Sequence, residues 1–443
     1  MNLFLSLRQQ SEYLHTKTSR PIQKHGIQSV TMQYFRYKLK PNKNQKELFN
    51  QWIGSCRCLY NIALEQRKMI DHKETKARYL GENPLTKITK KGIKDYKYLN
   101  YDYQAAELSA LKDEYPWFKD VPGQALQYSL RNLDTSFERF FKGESSFPKH
   151  KKKSFRVGVK IPKGATKKNP NGNFQILGDQ IKLPKMQGTI RFIKSREMEG
   201  DVKSLTISKD GDGYFVSILC DIGEKYEHVE SESKSSIGID RGIAKSIALS
   251  DGSYFDLPKK KIKKIESRIA SEQIKLARKN RFSNNWYKSK RKINRLHRKI
   301  TNIRQDFLWK KAAYLSKNHA VIALEDLKVR NMSKSSKGTV EDPGKMVAQK
   351  SGLNRSILRE GWYDFSKKLE WQAKKNGARV IYCNPKNTSL TCNDCGHVNK
   401  ANRISQSEFT CMSCRRKAGA DENAARNVID KALGTGVFSL EAS

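Results

Sequence analysis

Two Cys-x-x-Cys pairs, Cys392-Asn-Asp-Cys395 and Cys411-Met-Ser-Cys414, stand fifteen residues apart near the C-terminus, and no other feature restricts the fold as much. Cysteines at that spacing on a tight turn can both face one Zn²⁺ at about 2.3 Å, and a second such knuckle completes a tetrahedron with no open position. The metal expected here is therefore structural. Asp421-Glu-Asn-Ala-Ala-Arg-Asn427 follows almost at once, so the clip fastens a helix that begins with a carboxylate.

The chain carries 87 Lys and Arg against 45 Asp and Glu, a net charge of +42 spread along its whole length. A field of that size repels itself unless a polyanion neutralises it, and each phosphate paired with Lys or Arg also releases a condensed counterion. Nucleic acid is the expected partner. No apolar run approaches the roughly 18 residues of a membrane span. Leu3-Phe-Leu-Ser-Leu7 is too short for a signal-peptide core. A soluble, intracellular protein with no membrane partner is expected. The other cysteines, Cys56, Cys58, Cys220 and Cys383, lie in apolar or strand-like contexts, which fits a reducing compartment with one metal site.

Length and texture predict an α/β multidomain chain of roughly two to four domains. Residues 1–31 read as an extension. Tyr34-Phe-Arg-Tyr-Lys-Leu39 alternates like a strand. Apolar residues recur at helical spacing from Phe49 through Trp52, Cys56, Leu59 and Ala63, and again from Leu126 to Phe141. Residues 49–145 are thus expected to be a helical bundle inserted after a first strand segment, 32–48. Turn signals such as Asn169-Pro-Asn-Gly172 break residues 146–232 into short strands, which suggests an antiparallel barrel completed by the strand near Tyr34. Lys149-His-Lys-Lys-Lys153 reads either as a solvated loop or as a phosphate grip.

Ser231–Ser236 reads as a linker, and residues 233–443 as a further domain into which the cysteine segment, 386–418, is inserted. Ile237-Gly-Ile-Asp240, Ser246–Leu249 and Tyr254–Leu257 predict a three-stranded meander. Lys259 to Leu315 predicts a basic αα-hairpin broken at Asn284-Asn285. The strand Val321–Glu325, a flexible stretch from Ser333 to Gly344, a helix from Leu358 to Lys375 and the strand Arg379–Tyr382 follow.

Three carboxylates stand where apolar elements end: Asp240, Glu325 and Asp421. A meander, a helix, a strand bearing Glu and a helix bearing Asp is the order of an RNase H-like sheet, whose first and fourth strands are neighbours. The three acids would then converge, and like charges at that range need compensation. Two Mg²⁺ ions about 3.5–4 Å apart supply it and suit in-line phosphodiester attack, because Mg²⁺ prefers hard oxygen ligands. Singly, each acid has an ordinary alternative. Asp240 could form a turn, alternation does not choose between Glu325 and Asp326, and Asp421 could be only a helix cap. Asp251 and Asp256 read as turn or strand-edge residues.

These residues resemble the TnpB (OrfB) family of transposon-encoded nucleases, relatives of the type V CRISPR effectors. Gly238-Ile-Asp240-Arg-Gly242, Ala323-Leu-Glu325-Asp-Leu327 and Asp421-Glu-Asn423-Ala-Ala-Arg-Asn427 are similar to its three RuvC motifs. Thr388 to His397 resembles the start of its zinc ribbon, and Tyr37–Pro41 through Cys58-Leu-Tyr-Asn61 its N-terminal segment. The resemblance implies a RuvC nuclease domain with an inserted zinc ribbon, an N-terminal wedge barrel and an inserted helical recognition bundle. It implies catalysis by Asp240, Glu325 and Asp421 on Mg²⁺, with Zn²⁺ held by Cys392, Cys395, Cys411 and Cys414. The activity implied is double-strand cleavage of DNA directed by a guide RNA, in a monomeric ribonucleoprotein at the nucleoid of a prokaryotic cytoplasm. A guide would supply sequence recognition while the protein holds backbones, which suits a diffuse positive charge. Gly419 departs from the pattern, since many members carry an acid there. The alternatives are a nuclease-inactive RNA-guided repressor and an RNase H-like transposase or resolvase that needs no RNA.

Overall fold

The computed structural model describes residues 31–80, 86–89, 92–95, 99–153, 158–164, 172–211, 213–227 and 229–438. The expected extension over residues 1–31 lies outside them save for Thr31. The chain divides into two compact units, Met1–Glu224 and Lys225–Ser443. Among the described residues no helix is long and apolar enough to cross a membrane.

In the first unit, β1 (Met32–Leu39) alternates as its sequence predicts, burying Phe35, Tyr37 and Leu39. α1 (Lys43–Leu80) follows directly, then a short hairpin of β2 (Thr86–Thr89) and β3 (Gly92–Asp95), then α2 (Tyr101–Glu114) and α3 (Gly123–Phe141). The apolar stripe of α1, from Phe49 and Trp52 to Leu64, meets Leu126, Leu130, Leu133 and Phe137 of α3 in one core. Buried Arg67 ties this core to polar partners, with its guanidinium 2.8 Å from Asp134 and 3.1 Å from the Gln104 side chain. The basic run after α3 is pinned rather than loose. Asn61 accepts from the Lys151 backbone N–H and donates to its carbonyl, and the Lys151 ammonium lies 3.6 Å from the centre of the Tyr60 ring.

The rest of this unit is strand: β4 (Gly158–Pro162), β5 (Gln175–Leu177), β6 (Gln180–Lys182), β7 (Thr189–Ile193), β8 (Asp201–Asp210) and β9 (Gly213–Asp221). With β1 they form one antiparallel sheet in the order β4-β8-β9-β1-β7-β6-β5. The end strands β4 and β5 share no ladder, but the segments beside them are stitched together. Asn173 N donates to Lys163 O at 2.7 Å, and Lys163 Nζ to Phe174 O at 2.9 Å. The expected barrel is therefore a curled sheet with a lightly bonded seam.

The second unit is built on a five-stranded sheet: β10 (Ser236–Asp240), β11 (Ile247–Leu249), β12 (Tyr254–Phe255), β13 (Val321–Glu325) and β14 (Arg379–Cys383). Its order is β12-β11-β10-β13-β14. The meander is antiparallel, and β13 runs parallel to both β10 and β14, so the first and fourth strands are neighbours as expected. Between β12 and β13 stand α4 (Lys259–Ala277) and α5 (Asn284–Asn318). The break falls at residues 278–283, just before the expected Asn284-Asn285, because Ser283 caps α5 by accepting from Trp286 N. A short α6 (Val329–Met332) leads to α7 (Val347–Glu360) and α8 (Trp362–Asn376). The single helix expected from Leu358 to Lys375 is two, since Gly361 between them takes a left-handed φ of 73°. The stretch expected to be flexible and the one read as a linker both carry hydrogen bonds. Gly344 N donates to Lys337 O at 2.9 Å, and Ser233 and Ser235 hydroxyls both donate to Asn318 O at 2.7 Å.

The two faces of this sheet differ in side-chain size, and that difference positions the site. Ile237, Ile239, Ile322 and Leu324 point to one face, against Leu308, Ala312 and Leu315 of α5 and Phe365 and Leu369 of α8. On the other face Gly238, Ala323 and Cys383 are small, and α9 (Ala420–Leu433) lies close over them through Val428 and Ile429. A Cβ on Gly238 would come within 2.0 Å of the Ala425 carbonyl oxygen. Gly238→Ala must push α9 outward and should cost roughly 1–3 kcal/mol, read by urea denaturation of the full chain. An unchanged midpoint would show that the helix is not seated on this strand.

Candidate active site and metal centre

Alternation along the parallel ladder places Asp240 and Glu325 on the face covered by α9. Ile239 pairs with Leu324, and the next residue on each strand is an acid. α9 begins one turn before its contact with Gly238, which brings Asp421 to the same end of the sheet. Glu325 is 8% exposed and the Asp421 side chain 14%. Burial pushes the Asp240 carboxyl up to about 7. The charges of Glu325 and then Asp421 add to that rise, while Arg403 and a hydrogen bond to the Arg241 backbone oppose it. Burial also raises Glu325, against the Thr388 hydroxyl and the charge of Arg241. The three acids stand more loosely than the cysteines, since the four thiols are the set among the described residues whose ligand atoms all fall within 4.8 Å of one another. The Asp421 carboxylate instead faces two cations, Arg403 at 3.8 Å and Lys245 at 4.0 Å.

Three groups that stood in the sequence motifs without an assigned contact hold this arrangement. The Thr388 hydroxyl donates to Glu325 Oε1 at 2.6 Å. Arg241, 6% exposed, donates to the Glu325 carbonyl and, at 2.7 Å, to the Ser366 hydroxyl, so it fastens the end of β13 to α8. Gly242 keeps the turn after it tight, because a Cβ there would lie 2.7 Å from the Lys245 carbonyl oxygen. Asp326, the rival of Glu325, pairs with Lys328 at the surface. Asp256, at the edge of β12, bonds Ser246 N and Lys259, and Asp251, in the turn before it, bonds Ser253 N. At Gly419 a side chain would make only ordinary contact, 3.7 Å from Glu422 Cβ.

The four cysteines meet in the segment before α9. Their Sγ–Sγ separations of 3.7 Å (Cys392–Cys414) and 3.5 Å (Cys395–Cys411) match the roughly 3.8 Å edge of a tetrahedron with 2.3 Å Zn–S bonds. Each knuckle closes on a left-handed residue after its second cysteine, Gly396 at φ 75° and Arg415 at φ 61°. A small core of Phe409 and Ala420 backs the cluster, and β15 (Glu408–Thr410) pairs with β16 (Lys417–Gly419), which runs straight into α9. Two fully buried amides one turn apart on α9 complete the link. Asn423 donates to Thr391 O at 2.8 Å, and Asn427 to the carbonyls of Thr388 and Thr391 at 2.8 and 2.7 Å. The cysteine segment is thus bonded to the helix of Asp421 and, through Thr388, to Glu325. Paired asparagines at i and i+4 in an alanine-rich helix were the available signal, since buried amides need partners.

Residues 217–336 match the family model described as "Probable transposase" (OrfB of IS605), residues 362–428 a "Cas12f1-like, TNB domain" and residues 32–74 a "Helix-turn-helix domain" of OrfB. Over that last range the fold is one strand and most of one helix. The chain is 38% identical over 400 residues to the "Putative RNA-guided DNA endonuclease InsQ" of Escherichia coli K12, covering 90% of this chain and 92% of that protein. It is 29% identical over 408 residues to a Streptomyces pristinaespiralis protein described in the same words without InsQ, covering 90% and 89%. The protein in the cryo-EM structure of a Cas12f1–sgRNA–target DNA complex matches with a TM-score of 0.31 at 17% identity, covering 90% of this chain and 99% of that one.

An acid whose folded pKa lies above its unfolded value withdraws stability as pH rises toward and through the folded value. With Asp240 at about 7, its ionised form destabilises the metal-free protein at pH 8. Asp240→Asn at that pH, without added Mg²⁺ and with no chelator that strips zinc, should gain roughly 1–3 kcal/mol in chemical denaturation, with the gain shrinking toward pH 5. A loss of stability at pH 8 would contradict the crowding of acids described above.

Proposed function

Since this chain belongs to the TnpB (OrfB) family of transposon-encoded nucleases, we propose that it is an RNA-guided DNA endonuclease that cuts by phosphodiester hydrolysis. The observation that carries the reading is the meeting of Asp240 and Glu325 at the end of one parallel strand pair, with Asp421 on the helix lying over it. In family terms the second unit is the RuvC domain with its zinc ribbon. The first unit holds the wedge sheet and the recognition helices.

The donor set fits a divalent pair: three oxygen ligands, crowded and partly desolvated, one of them raised to about 7 by burial first and by the charges of its neighbours second. Asp240, Glu325 and Asp421 would hold two Mg²⁺ ions, which when bound activate a water and stabilise the departing 3′-oxygen. Asp240 must give up its proton for that binding, so metal and proton compete at one carboxylate. Thr388 and Arg241 fix the rotamer and backbone of Glu325. Arg403 and Lys245 lie where a phosphate would approach Asp421, and a planar guanidinium suits a bidentate grip on it. Cys392, Cys395, Cys411 and Cys414 would hold Zn²⁺, closed and structural, with sulfur spacing that suits it.

A guide RNA would pair with the target strand, and the net charge of +42 suits a monomeric protein that holds RNA and double-stranded DNA by their backbones. The two DNA strands would reach the one set of acids in turn, leaving a double-strand break.

Expression of the gene with its downstream DNA should yield protein carrying a defined RNA that overlaps the gene's 3′ end. Mg²⁺-dependent cutting of a matching DNA should vanish after RNase treatment, whereas RNase-resistant cutting would favour an RNA-independent transposase. Asp240→Ala, Glu325→Ala and Asp421→Ala should each lower cleavage at least about a thousandfold while RNA and target binding persist. Normal cutting by any one of them would remove that residue from the mechanism. Cys395→Ser should release zinc, and an unaltered zinc content on elemental analysis would refute the four-cysteine centre.

A further inference from the structure

α4 and α5 close on one another through Ile265, Ile269, Ile293 and Leu296. α5 then descends over the sheet through Leu308, Ala312 and Leu315 to Asn318, and β13 runs back up to Glu325. The hairpin therefore projects past the end of the sheet that bears the acids. At about 1.5 Å per residue, Asn284 stands roughly 35 Å along the helix axis from Leu308.

The tip of this hairpin is aromatic and open. Phe282 is 61% exposed and Tyr287 45%. Trp286 stands between them, with ring centres 5.6 Å from Phe282 and 5.1 Å from Tyr287. Phe282 also holds a left-handed φ of 68°, a conformation that favours glycine and is an outlier for a bulky residue. Cations flank the rings: the Arg281 guanidinium is 4.9 Å from the Phe282 centre and the Lys290 ammonium 4.6 Å from that of Trp286. Between residues 273 and 300 the sequence contains no Asp or Glu.

We propose that the tip of the α4–α5 hairpin, with Phe282, Trp286 and Tyr287 and their flanking cations, is a stacking platform for unpaired bases of the bound RNA. This rests on the RNA-guided reading above. Exposed rings interleaved with positive charge match a strand that offers both π-faces and phosphates. A duplex hides its base faces, and an apolar protein partner would have to strip the cations of water with nothing to replace it. A displaced DNA strand must also reach the acids, roughly 35 Å from the tip by the helix rise, whereas a resident RNA need not.

The test uses the full chain loaded with its RNA and a double variant, Phe282→Gly with Tyr287→Ala. Glycine relieves the backbone at position 282, so the variant keeps its hairpin while losing two rings. The RNA dissociation constant should rise at least about tenfold, with an unchanged slope of log Kd against log salt. Arg281→Gln with Lys290→Gln should instead flatten that slope. Ultraviolet crosslinking of the wild-type complex, followed by peptide mapping, should place RNA on the 282–287 segment. Wild-type RNA affinity in the double variant together with no crosslink at the tip would overturn the proposal. A defect confined to single-stranded DNA, with RNA held normally, would overturn it equally. A wild-type chain that binds no RNA would sink the RNA-guided reading itself, and this inference with it.

Discussion

Where β10 passes under α9, the Ala425 carbonyl oxygen lies 2.0 Å from the place a methyl group on Gly238 would occupy, and the geometry of the acids follows from that contact. Helices pack on sheets at a distance set by the side chains between them. A face lined by Gly238, Ala323 and Cys383 lets the helix axis come unusually close. The first turn of α9 then overhangs the strand ends, and Asp421 reaches the level of Asp240 and Glu325. The opposite face, filled by Ile237, Ile239, Ile322 and Leu324, keeps α5 and α8 at ordinary distance. One sheet thus supports a thick core on one side and a close, acid-bearing helix on the other.

Close packing alone would not hold a carboxylate against two others. Burial and mutual repulsion favour separation, as the rise of Asp240 to about 7 records. The restraint comes from the cysteine segment. Zn²⁺ at the four thiols would fix Cys392 against Cys411 and Cys414, and the segment just upstream is bonded by Asn423 and Asn427 to α9 and by Thr388 to Glu325. Removing the knuckles would free Thr388 and the start of α9 together. Zn²⁺ closed in by the four thiols would thereby act on the placing of the acids, through hydrogen bonds to two fully buried amides.

Much of this was legible in the chain because it depended on local spacing. Paired cysteines, strand alternation and helical periodicity each have a short range, and the adjacency of first and fourth strands follows once the order of elements is read. What escaped was set by tertiary neighbours. Gly361 splits a continuous apolar period into α7 and α8 through a left-handed backbone angle that no periodicity encodes. The ties of the Ser231–Ser236 stretch were not legible because Asn318, more than eighty residues on, offers its carbonyl to both Ser233 and Ser235. The choice between Glu325 and Asp326 was open in sequence, and in the fold the two point apart: Glu325 turns to Thr388 under α9, while Asp326 turns to Lys328 in solvent.

The electrostatics of the second unit separate two roles of charge. The wide positive field comes from side chains that remain in water, where salt screens them and each contributes mainly by releasing counterions. Around the acids the cations are fewer and better placed, with Arg241 buried behind Glu325 and Arg403 and Lys245 before Asp421. Arg241 cannot leave, since its guanidinium is bonded to the Glu325 carbonyl and the Ser366 hydroxyl. Arg403 and Lys245 sit 3.8 and 4.0 Å from the Asp421 carboxylate, beyond hydrogen-bond range, so little geometry is lost when they turn elsewhere. A phosphate arriving with its metals would replace Asp421 as their counter-charge, and the same two side chains would pass from steadying an acid to steadying the substrate.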